Sequence, residues 1–369
     1  MKNKLNVITV VLISATVVVI TSLFCILPDK EISEKENRTL RKCPKFSVEN
    51  LISGEYTTNL AEYISDQFAF RDEFVSVKAY TELLLGKREN NGVIYAKNNT
   101  LITRDDLTEN RLHENLEIIN EFQEKVGLPV CLAAVPRSVD VFSEYLPSEY
   151  PAQADVDFWK NFYDTANKLN VNAPNLYDSL CSKNNYYCTD HHYTTYGAYQ
   201  VYGLLGDFLD YKPNAIENFK PEIVSNNFCG TSMRTSGFYF NKKDTITLLR
   251  YNGDENYNVT ADGNNINLYD KSKINSVDQY AVFLGGNHAR VDITLGENRK
   301  KLLVIRDSFA DSLAPFLAMH YDLVMLDLRY FDGNIGDVLL QEKPSAVLII
   351  ESISEIAKAK NISYLRRIQ

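Results

Sequence analysis

Residues 189–199 read TDHHYTTYGAY, and the fold of the chain can be predicted outward from this stretch. Two of the chain's five histidines follow directly after Asp190. The sequence then has apolar residues at a spacing that fits one buried helical face, at Ala198, Val201, Leu205, Phe208 and Leu209. The stretch is therefore predicted to pass from an extended lead-in into a helix.

Asp190 and His192 are predicted to point the same way, because side chains two residues apart on an extended segment share one side. The Asp190 carboxylate could then hold His192 in one tautomer and leave its other ring nitrogen free as a base. His191 would face the opposite side, so we expect it to have a supporting role only.

The fold is predicted to be α/β, with a parallel sheet between two layers of helices. Short apolar runs that suit buried parallel strands cover 130–135, 301–305, 322–326 and 346–350, and a further strand is expected at 175–178. Helical periodicity covers about 107–126 and 154–169. This alternation of strands and helices is typical of doubly wound folds.

Residues of about 212–300 interrupt this alternation, and we interpret them as a β-rich insertion. Strands are expected at 245–249 and 280–284, separated by loops rich in Asn, Asp and Gly. The insertion ends at a small-residue turn, 285–288. The whole α/β domain is predicted to span 96–369.

The N-terminus is predicted to be a membrane anchor, residues 1–27. Lys2 and Lys4 precede an uncharged run from Leu5 to Leu27, which is long enough to cross a bilayer as a helix. A cleaved signal peptide is the alternative, although no small-residue cleavage site stands out. Residues 28–95 would form a juxtamembrane arm, and everything after the anchor would lie outside the cytoplasm.

Composition excludes some classes of function. The net charge of -9 argues against nucleic-acid binding, because phosphates need basic partners. The six cysteines are scattered and include no C-x-x-C pair, so we expect no zinc site. We also expect no other metal and no cofactor. Two disulfides, Cys181–Cys188 and Cys43–Cys229, are both possible from the sequence.

Ser308 is the candidate nucleophile. It follows the strand at 301–305, at the carboxyl edge where α/β enzymes gather their chemistry. We expect His192 to take its proton and Asp190 to orient His192. Oxyanion donors would be the Ser308 N–H and Gly286 or Asn287. The alternative interpretation makes Ser308 a helix cap and both histidines structural.

Other candidate residues are arginines and aromatics near the predicted cleft. Arg137 and Arg306 lie at strand ends and could meet an acidic sugar, although a salt bridge within the protein is the other interpretation. Tyr193 follows the two histidines directly, and His288 could line the same cleft.

Asp190-His191-His192-Tyr193, with Thr194, Thr195, Gly197 and Ala198 after it, resembles the signature of the DHHW family. Other residues agree with this resemblance: Glu36-Asn37-Arg38, Asp66, Arg71, Gly86-Lys87 and Asp307-Ser308-Phe309. The family is similar to alginate O-acetylation proteins of the AlgJ and AlgX type, which have an SGNH-hydrolase-like fold. The resemblance matches Asp190 and His192 to their Asp-x-His pair and Ser308 to their serine. Tyr193 stands where the family name has tryptophan.

This resemblance implies a membrane-anchored O-acetyltransferase or acetylesterase that acts on an extracellular polysaccharide. It also implies a membrane-bound O-acyltransferase as a partner that supplies acetyl groups. Two alternatives remain: a non-catalytic glycan-binding or scaffold protein of an envelope polysaccharide machine, and a manganese phosphoesterase of the other Asp-His-His type. The second would need several further aspartates in short motifs near the N-terminus, where this sequence has the apolar run of the predicted anchor instead.

Overall fold

The computed structural model describes residues 2–33, 38–105, 107, 111–150, 153–182 and 184–368. Glu36 and Asn37 of the predicted family signature lie outside these residues. The chain folds as two compact units. One comprises residues 1–90 and 234–239, and the other comprises 91–233 and 240–369. The segment 234–239 therefore belongs to the N-terminal unit, although it is distant in sequence.

Among the described residues the strands, in chain order, are β1 Ile32–Ser33, β2 Arg38–Thr39, β3 Glu89–Asn90, β4 Val93–Tyr95, β5 Leu101–Thr103, β6 Val130–Val135, β7 Lys220–Phe228, β8 Asp244–Arg250, β9 Asn258–Ala261, β10 Asn264–Ile266, β11 Arg290–Thr294, β12 Lys301–Arg306, β13 Asp322–Leu326 and β14 Ala346–Ser352. The α-helices are α1 Lys2–Ile26, α2 Val48–Ile52, α3 Glu55–Gln67, α4 Arg71–Leu84, α5 Leu112–Val126, α6 Ser138–Val141, α7 Gln153–Lys168, α8 Leu176–Leu180, α9 Thr195–Leu209, α10 Thr231–Ser236, α11 Phe309–Ala318, α12 Ile335–Glu342 and α13 Ile353–Lys358.

The larger unit is built on one seven-stranded sheet in the order β10-β9-β11-β13-β12-β14-β6. Strands β13, β12, β14 and β6 are parallel neighbours. Strands β11, β9 and β10 extend the sheet on the β13 side with antiparallel pairing. Because β12 lies inside the sheet, its carboxyl end is flanked by parallel strands on both sides.

Helices cover both faces of this sheet, which confirms the predicted three-layer α/β architecture. Leu302 and Val304 of β12 pack in the core cluster that includes α9 and α11. Leu303 and Ile305 point to the opposite face, where the core includes α5, α7 and α13. Alternate side chains of one strand thus enter two different cores, as expected for a strand buried on both faces.

Two predicted strands were wrong. Residues 175–178 lead into helix α8, because the Asn175 side chain accepts the Asp178 N–H at 3.1 Å and caps the helix. Residues 280–284 are not a strand either, since Gln279–Val282 forms a short 3₁₀ helix. Within the predicted insertion, β7 and β8 form their own antiparallel pair, whereas β9, β10 and β11 join the main sheet.

The N-terminal unit contains the predicted anchor. Among the described residues, Asn6–Ile26 of α1 is long and apolar enough to cross a membrane, and none of it is buried in the protein. Helices α2, α3 and α4 follow it, within the residues predicted as a juxtamembrane arm. All six cysteines are unpaired, so neither disulfide considered from the sequence is formed.

Candidate active site

His192 lies between the other two residues of the candidate group. Its Nε2 is 2.8 Å from Ser308 Oγ, and its Nδ1 is 2.6 Å from Asp190 Oδ1. All three side chains sit at the carboxyl edge of the sheet, where β12 ends and α11 begins. The distances are those of two consecutive hydrogen bonds. His192 and Ser308 are brought together although they are 116 positions apart in sequence.

The Asp190 carboxylate accepts three hydrogen bonds that together use both oxygens, and a second histidine lies nearby. Oδ1 accepts the His192 backbone N–H at 2.9 Å in addition to its contact with the ring. Oδ2 accepts the Thr231 N–H at 2.6 Å, and His191 Nδ1 lies 3.8 Å from Oδ1. The carboxylate is thereby fixed in position before any substrate arrives.

These partners hold the pKa of Asp190 well below its usual value. Burial alone acts in the opposite direction and raises it, but the neighbouring His192 and His191 and the hydrogen bond from Thr231 outweigh that effect. An ionised carboxylate can only accept hydrogen bonds, so the proton of a neutral His192 belongs on Nδ1. Nε2 then carries a lone pair directed at the Ser308 hydroxyl.

Gly230 sits where no side chain fits. A Cβ at this position would lie 2.3 Å from Asp190 Cβ and 2.4 Å from the Thr189 carbonyl oxygen. The adjoining Thr189 is fixed by Asp244, whose Oδ2 accepts both its N–H at 2.7 Å and its hydroxyl at 2.6 Å. The loop that carries Asp190 thus packs against Gly230 on one side and is hydrogen-bonded to Asp244 through Thr189.

Ser308 occupies the N-cap position of α11, but its side chain makes no capping hydrogen bond. The Ser308 hydroxyl therefore does not cap the helix, and it contacts His192 instead. Asp307 secures this turn: its Oδ1 accepts the Phe309 N–H at 2.9 Å and its Oδ2 accepts the Ser352 N–H at 2.7 Å. Burial raises the pKa of Asp307, and these two bonds oppose the rise.

Tyr280 is a neighbour of the site that the sequence did not indicate. Its ring stacks on the His192 ring with centroids 3.9 Å apart and an interplanar angle of 8°. Its hydroxyl lies 3.1 Å from Ser312 Oγ and 3.4 Å from the Ser308 carbonyl oxygen. The ring of Phe309 meets the same imidazole edge-on at 5.0 Å. No sequence signal marked Tyr280, because its apolar surroundings resembled a strand.

Tyr193 and His191 flank the site in different ways. Tyr193 is fully buried, and its hydroxyl donates to the Phe309 carbonyl oxygen at 2.5 Å. This contact ties the histidine segment to the helix that follows Ser308. The His191 ring, whose side chain is 38% exposed, lies 4.0 Å from the His192 ring. His191 is thus beside the candidate base and open to solvent, rather than directed away from it.

Neither arginine suggested as a sugar contact is directed outward. Arg306 is fully buried, pairs with Asp311 at 2.7 Å and reaches the His288 carbonyl oxygen at 3.4 Å. Arg137 is buried and pairs with Asp140 at 2.7 Å. Both arginines therefore form salt bridges within the protein, which was the alternative interpretation. Burial raises the pKa of Asp311 to about 7, against the opposing effect of Arg306.

Gly286 and Asn287 lie in the turn that follows the 3₁₀ helix. Gly286 has a φ of 118°, which favours glycine. Asn287 is exposed. Among the hydrogen bonds described, none joins either residue to Ser308. His288 belongs to the same turn, and its Nδ1 lies 3.2 Å from Asp262 Oδ2.

Asp190, His191 and His192 are the one group of described residues whose side-chain ligand atoms could hold a metal ion, all within 4.8 Å of one another. Both ring nitrogens of His192 are already at hydrogen-bond distance from Asp190 and Ser308. A metal ion on His192 would have to displace one of these contacts. The geometry fits a proton-transfer chain better than a metal site.

Comparison with known proteins confirms the family resemblance. The model of the DHHW protein family matches residues 158–326, which include Asp190, His192 and Ser308. A curated relative, the probable alginate O-acetylase AlgJ of Pseudomonas putida, is 25% identical over 134 residues. That match covers 34% of this chain and 35% of the relative, so it concerns about a third of either protein.

Solved structures share the fold. A DHHW family protein from Eubacterium siraeum has a TM-score of 0.61 at 19% identity, covering 76% of this chain and 97% of the other. PatB1 of Bacillus cereus has a TM-score of 0.60 at 19% identity, covering 73% and 98%. At this level of identity the likeness concerns the fold, so the chemistry must be argued from the site itself.

Proposed function

We propose that this chain, which shares the DHHW family model over residues 158–326, transfers or removes O-acetyl groups on a polysaccharide outside the cytoplasm. The observation that carries the proposal is His192, which contacts Asp190 at 2.6 Å and Ser308 at 2.8 Å through its two ring nitrogens. A base held in one tautomer against a serine hydroxyl is what an acyl-transfer reaction requires.

In the first step Ser308 Oγ attacks the carbonyl carbon of an acetyl ester while His192 Nε2 takes the hydroxyl proton. The tetrahedral intermediate collapses, the ester C–O bond breaks, and Nε2 returns the proton to the leaving alcohol. The product is an acetyl group esterified to Ser308. Asp190 stays ionised throughout and stabilises the imidazolium that forms between these proton transfers.

In the second step an incoming hydroxyl group attacks the acetyl carbon on Ser308. His192 Nε2 takes the proton of that hydroxyl and then returns it to Ser308 Oγ as the acyl bond breaks. Water as the incoming group gives an acetylesterase, and a sugar hydroxyl gives an O-acetyltransferase. Both activities use the same residues, and they differ only in which acceptor occupies the cleft.

The oxyanion of each intermediate needs N–H donors near Ser308. The Ser308 N–H at the start of α11 is the first donor we assign, because the N-terminus of a helix favours negative charge. Gly286 or Asn287 would supply the second. This would require the 285–288 turn to approach the substrate on binding.

Tyr280 contributes to this reaction through His192. The face of an aromatic ring attracts a cation, so the stacked ring stabilises His192 most when the imidazole is protonated. The Tyr280 hydroxyl, held by Ser312, fixes the ring in this position. We assign Tyr280 as a positioning residue for the base.

Helix α1 is proposed as an uncleaved anchor, with the remaining chain outside the cytoplasm and with a membrane-bound O-acyltransferase as the donor of acetyl groups. The length and apolar character of Asn6–Ile26 support the anchor. A polysaccharide as acceptor is supported by the partial likeness to the P. putida alginate O-acetylase.

Acetate release from a small acetyl ester by the purified full chain tests the proposal. Ser308→Ala should lose several orders of magnitude in kcat, since the nucleophile and its base act as a unit. Ser363→Ala removes a hydroxyl from the C-terminal 3₁₀ helix and should retain the wild-type rate. If neither wild type nor Ser308→Ala releases acetate above background, a non-catalytic, glycan-binding role is favoured; equal rates above background would reject Ser308 as the nucleophile.

A further inference from the structure

Helix α4 carries an unusual stripe of exposed apolar residues. Phe70 at its N-cap, Phe74, Val77, Leu84 and Leu85 are between 46% and 89% exposed. Their positions fall on one face of α4, which Thr81 shares between Val77 and Leu84. We call this face the α4 stripe. Several large apolar side chains exposed on one helix face commonly mark a surface that binds a partner or a membrane.

The opposite face of α4 is already occupied within the N-terminal unit. Ala79 is buried, and Ser76 donates its hydroxyl to the Gly237 carbonyl oxygen at 2.8 Å. The Tyr80 ring meets the Phe238 ring edge-on at 5.5 Å. Segment 234–239 therefore covers one face of α4, and the α4 stripe points away from it.

Helix α3 is attached to the outer end of α1. The ring of Phe24, in the last turn of α1, contacts the ring of Tyr63 with centroids 5.9 Å apart. The Tyr63 hydroxyl donates to Asp29 at 2.9 Å. Gln67 exchanges two hydrogen bonds of 2.9 Å with the backbone of Lys30. The first polar residues after the apolar run are thereby fixed to the last turns of α3.

The start of α4 shares a cavity with the end of α1. Leu27 and Pro28, where α1 has just ended, line one cavity together with Phe70 and Arg71. The α4 stripe therefore begins beside the point at which the apolar run of α1 ends. That point corresponds to the boundary between lipid chains and headgroups, where Tyr63 also suits the aromatic preference of this layer.

We propose that the α4 stripe lies in the interfacial layer of the bilayer that α1 enters, with lipid as its occupant. The inference rests on the proposed anchor but is independent of the proposed chemistry. Lipid is favoured over a second copy of the chain because the stripe starts where the lipid-facing surface of α1 ends. Amphipathic helices bind membranes in this manner, with the apolar face at the headgroup and acyl boundary.

Tryptophan fluorescence in proteoliposomes of the full chain tests this inference. Val77→Trp and Leu84→Trp place a reporter at exposed positions of the α4 stripe, and Val18→Trp places one in the middle of α1. The native Trp159 is buried, so wild-type protein provides the background. Each variant is quenched with lipids brominated close to the headgroup, with lipids brominated deep in the chain, and with acrylamide in the water.

We expect Val77→Trp and Leu84→Trp to be quenched more by the shallow bromolipids than by the deep ones, and to be protected from acrylamide. Val18→Trp should respond most to the deep bromolipids. If Val18→Trp responds to bromolipid and the two stripe variants do not, the anchor stands and this inference is overturned. Protection from acrylamide without bromolipid quenching would indicate a protein partner or second copy, which also overturns it. No quenching of Val18→Trp would reject the anchor itself.

Discussion

Replacing Gly230 with alanine tests whether the loop that carries Asp190 must be held in place. The added Cβ would lie 2.3 Å from Asp190 Cβ and 2.6 Å from its Cα. These are atoms of a backbone segment rather than the end of a flexible side chain. The strain cannot be relieved by a rotamer change, so the segment itself must move.

The size of that movement follows from the contact distances. Real Cβ contacts are essentially never shorter than 3.0 Å, and the closest contact here is 2.3 Å, so a shift of about 0.7 Å is the minimum. His192 is two residues from Asp190 and 2.8 Å from Ser308 Oγ. A shift of this size takes that contact to about 3.5 Å, the limit of a useful hydrogen bond. Misplacement of about 1 Å costs on the order of a hundredfold in rate.

The assay is acetate release by the full chain at saturating ester, with kcat and KM measured separately. We expect kcat of Gly230→Ala to fall about a hundredfold, with a small change in KM. Gly203→Ala is the matched control, because a Cβ at this exposed position of α9 meets nothing within 4 Å. Alanine inside a helix stabilises relative to glycine by roughly 0.5–1 kcal/mol, so the control should be at least as stable as wild type.

Melting curves must accompany the kinetics, so that a variant that fails to fold is not mistaken for an inactive one. A folded Gly230→Ala protein with wild-type kcat would refute the reasoning, because the loop would then tolerate a displacement that should separate base and nucleophile.

Further predictions concern the charge, the stacked ring and the buried ion pair. Asp190→Asn should reduce kcat by about 10⁴-fold, because an amide can donate to Nδ1 and stabilise the wrong tautomer. The low folded-state pKa of Asp190 adds stability above about pH 4 that is lost as the pH falls through that pKa, so Tm of Asp190→Asn should change less than that of wild type in acid. Tyr280→Leu should lower kcat about tenfold, and Tyr280→Phe, which keeps the ring over His192, should lose much less. Equal kcat values for the two variants would contradict the stacking role. Asp311→Ala strands the buried Arg306 charge and should cost about 3–5 kcal/mol in urea unfolding, whereas the double variant Arg306→Met/Asp311→Leu should recover most of it.

The layered α/β fold could be predicted because its signals are local. Buried strands β6, β12, β13 and β14 are short apolar runs with clear ends, and helical periodicity marks α5, α7 and α9. The same local signals misled at two places. Asn175 starts a helix by capping it, and the apolar residues 280–284 are buried without being extended. Pairing of β9 and β11 with the main sheet depends on contacts distant in sequence, which periodicity does not encode.

Some residues of the candidate site could be predicted from the sequence and others could not. Asp190, His192 and Ser308 were suggested by residue type and by position at a predicted strand end. Gly230 could not be identified from the sequence, because the close contact that excludes a Cβ involves Thr189 and Asp190, 40 or so residues earlier. Tyr280 has no motif at all, and its importance appears only when its ring is found on His192.

The central claim is that Ser308 carries the acyl group between donor and acceptor. The most direct measurement is mass spectrometry of the Ser308 peptide after the full chain is mixed with an acetyl ester and quenched in acid within the first turnovers. The account predicts one acetyl group on Ser308 in wild type and none at this position in Ser308→Ala, which also releases no acetate above background. Steady release of acetate by Ser308→Ala at the wild-type rate, with the wild-type Ser308 peptide unmodified at every time, would contradict it.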